Sequence, residues 1–197
     1  MKTKLIWVSA LIMVWGFTAC NTSSNDESRE AAKDSTEANI EAMALSDSAA
    51  NAMKDDAEFV MEAADGGMME VEMGRLAAGK AISAEVKKFG QMMVDDHSKA
   101  NDELKTLAAQ KNITLPTLLT EKHRKMIDDL STKKGKDFDK KYMDIMVDDH
   151  KEDIDKFEKA ADNSNDPDIK AFASKTLPTL RHHLQMAEAA EKMTNKL

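Results

Sequence analysis

Apolar residues recur at every third or fourth position over most of this chain, and this periodicity constrains the fold more than any other feature. It is the period of an α-helix that buries one face, and it runs through 55–80, 83–110, 137–161 and again from residue 166 onward. The 197 residues include only 7 Gly and 3 Pro, and 5% are aromatic, which disfavours a turn-rich β-sandwich or barrel. We therefore expect an all-α fold with four long helices around one core.

Capping residues predict where these helices begin. Ser83 and Asp137 are suitable N-caps for the second and third long helices. Asp166 followed by Pro167 is typical of a helix start, and it predicts the beginning of the fourth. A short helical pattern over 120–130 predicts a further helix in the connection between the second and third long helices.

A repeated motif relates the second and third long helices. Residues 89–97 read Phe-Gly-Gln-Met-Met-Val-Asp-Asp-His, and residues 142–150 read Tyr-Met-Asp-Ile-Met-Val-Asp-Asp-His. Two copies of one element indicate two helix pairs joined by a long crossover, as in a four-helix bundle. Such bundles commonly build metal sites from side chains that face inward.

Each long helix carries one polar residue within its apolar stripe. At about 100° per residue these positions face the predicted core, and they are Glu70, His97, His150 and His183. Counted from the predicted helix ends at ~1.5 Å per residue, they fall in one layer within about a turn. Imidazole and carboxylate suit iron, zinc, manganese or copper, so the layer is a candidate divalent-metal site. The alternative is a buried Glu-His hydrogen-bond network without metal.

Residues beside the histidines have two interpretations. Asp96 and Asp149 lie at the edges of their stripes, where each is either an orienting partner or ligand for the site or a solvated acidic residue. Met93 and Met146 lie one turn before His97 and His150 on the same helix faces. Thioether ligands would favour copper(I), whereas methionine in a helical core more commonly fills gaps.

The N-terminus predicts export and lipidation. Lys2 and Lys4 precede the apolar run 5–17, which is too short for the ~20 residues of a spanning helix, so residues 1–19 resemble a cleaved signal peptide. Residues 17–20 read Phe-Thr-Ala-Cys, which resembles a bacterial lipobox and predicts a lipid on Cys20 that anchors the protein to a membrane. The alternative is an ordinary signal peptide followed by a chance cysteine.

Residues 20–54 are rich in Ser, Asn, Asp, Glu and Ala and contain few large apolar side chains. A segment of this composition buries little surface, so we expect a flexible acidic tether between the lipid and a bundle domain over 55–197. Asn21 is not the Asp associated with inner-membrane retention in enteric bacteria, and the acidic stretch 25–28 resembles the tethers of some exported lipoproteins. Both features favour the outer membrane, on its periplasmic or outer side.

An ordered series of motifs resembles one bacterial family. The series comprises 70–77 (Glu-Val-Glu-Met-Gly-Arg-Leu-Ala), the two segments ending in Met-Val-Asp-Asp-His, and 176–184 (Thr-Leu-Pro-Thr-Leu-Arg-His-His-Leu). It is similar to a domain-of-unknown-function family of predicted outer-membrane proteins, grouped with the ferritin-like bundles, over about 55–195. The resemblance implies a ferritin-like fold and makes a metal site more plausible. Val94 and Val147 stand where the di-iron Glu-x-x-His pattern has Glu, so a mononuclear, His-rich site fits better.

Charge and motifs narrow the function classes. The formal net charge of -8 disfavours nucleic-acid binding, which needs clustered Lys and Arg. The chain has no Gly-x-Ser-x-Gly elbow, phosphate-binding Gly loop or dinucleotide fingerprint, so metal-dependent redox chemistry is the one enzymatic class left. We expect a metal-binding envelope lipoprotein for storage, buffering or stress protection. The alternative is a metal-free structural or partner-binding bundle at the outer membrane.

Overall fold

The computed structural model describes residues 24–195, and all the regular elements in that range are α-helices, which confirms the all-α prediction. None of these helices is long and apolar enough to cross a bilayer. The predicted signal peptide and Cys20 lie outside the described residues. The helices are α1 (Ser24–Met43), α2 (Asp47–Lys80), α3 (Ala84–Gln110), α4 (Glu121–Thr132), α5 (Gly135–Asn163) and α6 (Pro167–Thr194).

Two of the three predicted N-caps are confirmed. The Ser83 hydroxyl accepts the backbone N–H of Val86 at the start of α3, and the Asp166 carboxylate accepts the N–H groups of residues 168 and 169 at the start of α6. The cap predicted at Asp137 is wrong, because α5 begins at Gly135, whose positive φ of 57° only glycine adopts without strain. Asp137 instead lies in the first turn, where its charge favours the positive end of the helix dipole.

The four long helices form two antiparallel hairpins. Residues 81–83 join α2 to α3, residues 164–166 join α5 to α6, and α2 packs against α5 while α3 packs against α6. At one end Asp139 of α5 contacts the α2–α3 turn, and at the other end Lys111 contacts Asp166 and Asp168 at the start of α6. Helices α3 and α5 therefore run parallel, and the segment 111–134, including α4, crosses the length of the bundle between them.

The core consists of two apolar clusters with a polar layer between them. In α3, α5 and α6 the residues of one cluster precede the predicted polar residue and those of the other follow it, and in α2 the clusters divide next to Glu70, between Ala64 and Met69. In α5, for example, Met146 belongs to one cluster and Phe157 to the other, and His150 lies between them. The layer consists of Glu70, His97, His150 and His183, which are all buried.

The flexible tether predicted over 20–54 is wrong for the described part of that segment. Helix α1 is ordered on the crossover, where the Thr36 hydroxyl accepts the N–H of Thr114 at 3.0 Å and Asn39 donates to the carbonyl of Asn112 at 3.0 Å. The predicted domain start at 55 falls inside α2, which begins after the N-cap Ser46. Residues four apart supply a narrow buried stripe that composition did not reveal, namely Ala32, Thr36 and Ile40.

Two buried aspartates hold the connections, and the sequence analysis did not single out either one. Asp139 is 1% exposed, and its carboxylate accepts the backbone N–H groups of Ile82 at 3.1 Å and Ser83 at 2.8 Å. Asp65 is 2% exposed, and it accepts the N–H of Thr120 at 3.0 Å and its hydroxyl at 2.9 Å. These bonds fix the start of α3 and the start of α4 against the bundle.

We expect Asp65→Asn to destabilise the fold by about 1.5–3 kcal/mol at pH 7, the range for hydrogen bonds to a charged group. Burial alone would raise the pKa of Asp65, but hydrogen bonds from His123 and Thr120 outweigh it and hold the pKa below 3.8. An acid whose pKa is lowered by folding contributes stability above its unfolded pKa and loses it as the pH falls through the folded pKa. The difference between wild type and variant, measured by denaturant unfolding, should therefore shrink below about pH 4. The change Asp55→Asn, at an exposed position of the same helix, is the control. An equal loss in Asp65→Asn at pH 7 and pH 3 would contradict this account.

Candidate metal centre

The structure brings the four predicted site residues into one contact network. Glu70 of α2 contacts two histidines, with 2.7 Å from Oε2 to His97 Nδ1 and 3.5 Å from Oε1 to His150 Nε2. His183 Nδ1 lies 3.3 Å from His97 Nε2 and 3.3 Å from His150 Nε2. The exposed fraction is 6% for His97 and 1% or less for the other three. Each of the four long helices thus supplies one buried side chain to the same point.

Hydrogen bonds on the outer sides of two rings fix their tautomers. His150 Nδ1–H donates to the carbonyl oxygen of Met146 at 3.0 Å, and His183 Nε2–H donates to a carboxylate oxygen of Asp96 at 2.8 Å. Each neutral ring then has its unprotonated nitrogen turned inward, which is Nε2 in His150 and Nδ1 in His183. These two lone pairs face each other at 3.3 Å, an arrangement that a cation stabilises.

His97 and Glu70 have two protonation arrangements, which differ by one proton. When Glu70 is ionised, His97 Nδ1–H donates to it and His97 Nε2 presents a third lone pair to the centre. When Glu70 is protonated, its O–H donates to Nδ1, and His97 Nε2–H donates to His183 Nδ1. Burial raises the pKa of Glu70, which favours the second arrangement without a cation. A metal ion on the three rings would replace that inner proton.

The spacing of the inner nitrogens fits a small coordination sphere. One ring nitrogen from each of the three histidines lies within 4.8 Å of the other two. A tetrahedral metal bound to imidazole nitrogens at about 2.0–2.1 Å separates those nitrogens by about 3.3–3.4 Å. The two 3.3 Å contacts made by His183 Nδ1 match this separation between nitrogens.

Burial also keeps the histidines in the form that binds metal. Desolvation lowers the pKa of His97 and of His183 to about 4, and it lowers the pKa of His150 well below 6.5. For His150 the neighbouring rings lower it further. Neutral imidazole is the metal-ligating form, so all three rings are available at neutral pH.

The predicted neighbours occupy different places around the centre. Asp96 accepts the hydrogen bond from His183, and Asp149 groups with Glu70 and His150. Met93 and Met146 are fully buried in one apolar cluster, and Met146 contacts the centre through its backbone carbonyl. Their side chains pack in the apolar core, and the converging donor atoms come from the histidines and carboxylates.

Asp153 is a further residue near the centre, and the sequence analysis missed it. Burial, and then the charge of Glu70, raise the pKa of Asp153 to about 7. It lines a small cavity of about 20 Å³ together with Glu70 and His97, a volume that holds one water molecule. Its signal was the spacing of three residues after His150, which places both on the same side of α5.

A family profile matches residues 41–190 of this chain. The chain belongs to the DUF4142 family, a domain of unknown function. The part of the earlier resemblance that concerned a domain of unknown function is thereby confirmed. The description of the DUF4142 family names neither the outer membrane nor a ferritin-like fold. No curated protein matches the sequence.

Two solved structures share the fold of this DUF4142 chain. A DUF305 fragment from Deinococcus radiodurans aligns with a TM-score of 0.62 at 11% identity, over 73% of this chain and 97% of that one. CopM in its Cu(II)-bound form aligns with a TM-score of 0.60 at 18% identity, over 70% of this chain and 95% of that one. At these identities the likeness concerns the helical fold alone.

Proposed function

We propose that this protein is an envelope lipoprotein whose helical bundle binds one transition-metal ion through His97, His150 and His183. The observation that carries the proposal is the 3.3 Å separation of His150 Nε2 and His183 Nδ1 in a buried layer, and we infer from the outer hydrogen bonds that both nitrogens are unprotonated. Each of these rings already donates its proton to an oxygen on its outer side. Without a cation His183 Nδ1 accepts a hydrogen bond from His97 Nε2–H, but His150 Nε2 faces no donor among the described residues, and a buried acceptor without a partner is costly unless an ion binds it.

Nitrogen donors at this spacing select among the candidate metals. Three imidazoles in a tetrahedral arrangement suit zinc and copper(I), and also iron, better than manganese, which prefers oxygen ligands. The fold is shared with CopM, whose structure is of a Cu(II)-bound form, and this supports including copper among the metals tested. Bound metal in such a site supplies a positive charge and one open coordination position.

The surroundings of the site favour holding an ion over converting an organic substrate. The rings are nearly inaccessible, and the cavity beside Glu70 and His97 has room for about one water molecule. We therefore propose a role in metal storage, buffering or protection against metal-driven oxidative stress. A ferritin-like relationship and attachment through a lipid on Cys20 to the outer membrane belong to the same proposal.

Elemental analysis of the purified protein tests the metal site. The protein is stripped with chelator, offered zinc, copper, iron and manganese in turn, and freed of loosely bound ions before measurement. We expect close to one zinc or copper per chain in the wild type and almost none in His97→Ala/His150→Ala, because two of the three ligands are then missing.

His182→Ala is the matched control, since His182 is exposed and adjacent to His183. It should keep the full metal content. Equal metal in the wild type and the double variant, or none in the wild type with any of the four metals, would refute the proposed site and favour a metal-free bundle.

A further inference from the structure

A group of oxygen donors adjoins the three histidines. Glu70, Asp149 and His150 each offer a ligand atom within 4.8 Å of the others. His150 presents the same Nε2 to this group and to the histidine site, because its Nδ1 is bonded to the carbonyl of Met146. One nitrogen binds one ion, so the two carboxylates are the donors that remain for anything else.

Both of these carboxylates have an oxygen without a hydrogen-bond partner. Glu70 Oε1 and Asp149 Oδ2 are buried and accept no hydrogen bond from any described residue. Glu70 as a whole is 1% exposed, so bulk water does not supply a hydrogen bond to its free oxygen. An unsatisfied buried acceptor is costly, and native structures keep few of them without an ion or a water molecule as partner.

The chain supplies little positive charge to this group of carboxyls. Asp153 is a third carboxyl beside Glu70. Lys156 is the lysine that acts on both Asp149 and Asp153, but its Nζ pairs with Glu152 at 2.8 Å and Glu62 at 3.6 Å. A cation from outside would therefore find several buried carboxyl groups that no lysine of the described chain occupies, and it would displace their protons on binding.

We propose that Glu70 and Asp149 form a second cation position next to the histidine site, suited to a hard divalent ion such as Mn²⁺. Oxygen-rich positions prefer Mg²⁺ and Mn²⁺, which commonly use one or two carboxylates and complete their shell with water. Glu70 then contributes to both positions. Its Oε2 accepts the hydrogen bond that orients His97, and its Oε1 binds the second cation. This inference deepens the proposed function, since it shares Glu70 with the zinc or copper site.

The test is a Mn²⁺ titration of the purified protein already loaded with one equivalent of zinc. Free Mn²⁺ is counted by its electron paramagnetic resonance signal, and zinc retention is measured in the same samples. We expect the wild type to bind one Mn²⁺ and Asp149→Asn to bind it at least tenfold more weakly while keeping its zinc. The matched control is Asp148→Asn, since Asp148 is the exposed neighbour on α5, and it should behave as the wild type.

Three outcomes would overturn the second position. They are a wild type that binds no Mn²⁺ after zinc loading, equal Mn²⁺ binding in the wild type and Asp149→Asn, and loss of zinc together with Mn²⁺ in a folded Asp149→Asn. Failure of the proposed function has a different signature, because the wild type would then retain no zinc whatever happens to Mn²⁺. Circular dichroism of each variant shows that its helices are intact.

Discussion

Zinc is expected to raise the melting temperature of the wild-type protein by about 5–10 °C when its free concentration is a hundredfold above Kd. At this ratio a ligand that binds only the folded state stabilises it by about 2.7 kcal/mol. For chains of 150–250 residues each kcal/mol shifts the midpoint by about 2–4 °C. The measurement is thermal unfolding followed by circular dichroism, with zinc and with excess chelator.

In His183→Ala the zinc-dependent shift should disappear at the same metal concentration. His183 is central to the site, since its Nδ1 makes both 3.3 Å contacts with the other two rings. Comparing each variant with and without metal separates this loss from the stability lost by emptying a buried position. His182→Ala should keep the full shift. A shift that survives in His183→Ala would mean that zinc stabilises the protein at another place.

Changing the residues that orient the rings should weaken metal binding by about 10–100-fold, the usual effect of a partner behind a ligating histidine. Asp96→Ala removes the acceptor of His183 Nε2–H, so the ring is free to turn or to change its tautomer. Glu70→Leu removes the carboxylate that accepts His97 Nδ1–H. That hydrogen bond keeps the proton on Nδ1 and leaves Nε2 free for the metal. Competition with a coloured zinc chelator measures both affinities.

The matched control for Asp96→Ala is Asp95→Ala, because Asp95 is exposed and contacts Gln91 rather than the centre. Its zinc affinity should stay within twofold of the wild type. Unchanged zinc affinity in both Asp96→Ala and Glu70→Leu would contradict the assigned tautomers, even if the histidines themselves proved to be ligands.

The helices and the four central residues were predictable because both follow from one period. Glu70, His97, His150 and His183 interrupt apolar stripes at positions that a 3.6-residue repeat turns inward. The parallel course of α3 and α5 also followed from the repeat that ends at His97 and His150. Periodicity gives the face of a helix and the depth along it, and those two coordinates were sufficient to bring the residues together.

The separate roles of these residues were not predictable, because they depend on side-chain directions. Sequence spacing grouped Glu70 with the three histidines as equal ligands. In the structure its Oε2 lies behind His97, its Oε1 lies 3.5 Å from His150 Nε2, and its carboxylate groups with Asp149. Asp96 lies on α3 but orients His183 on α6, a contact that only the packing of two antiparallel helices determines.

Helix α1 and the buried aspartates were missed for a different physical reason. The inner face of α1 contributes Ala32, Thr36 and Ile40, a stripe too small and too polar to register as a core face. Asp65 and Asp139 are buried because backbone N–H groups from distant segments satisfy them. A single sequence does not show those partners, so composition assigns such residues to the surface.

X-ray absorption at the zinc edge of the one-equivalent zinc protein tests the central claim most directly. The account predicts about three imidazole nitrogens at 2.0–2.1 Å, with the multiple-scattering pattern of the ring, and one further light atom. The same spectrum from His182→Ala should be unchanged. A shell made only of oxygen, or a sulfur scatterer near 2.3 Å, would place the ion elsewhere and contradict the three-histidine site.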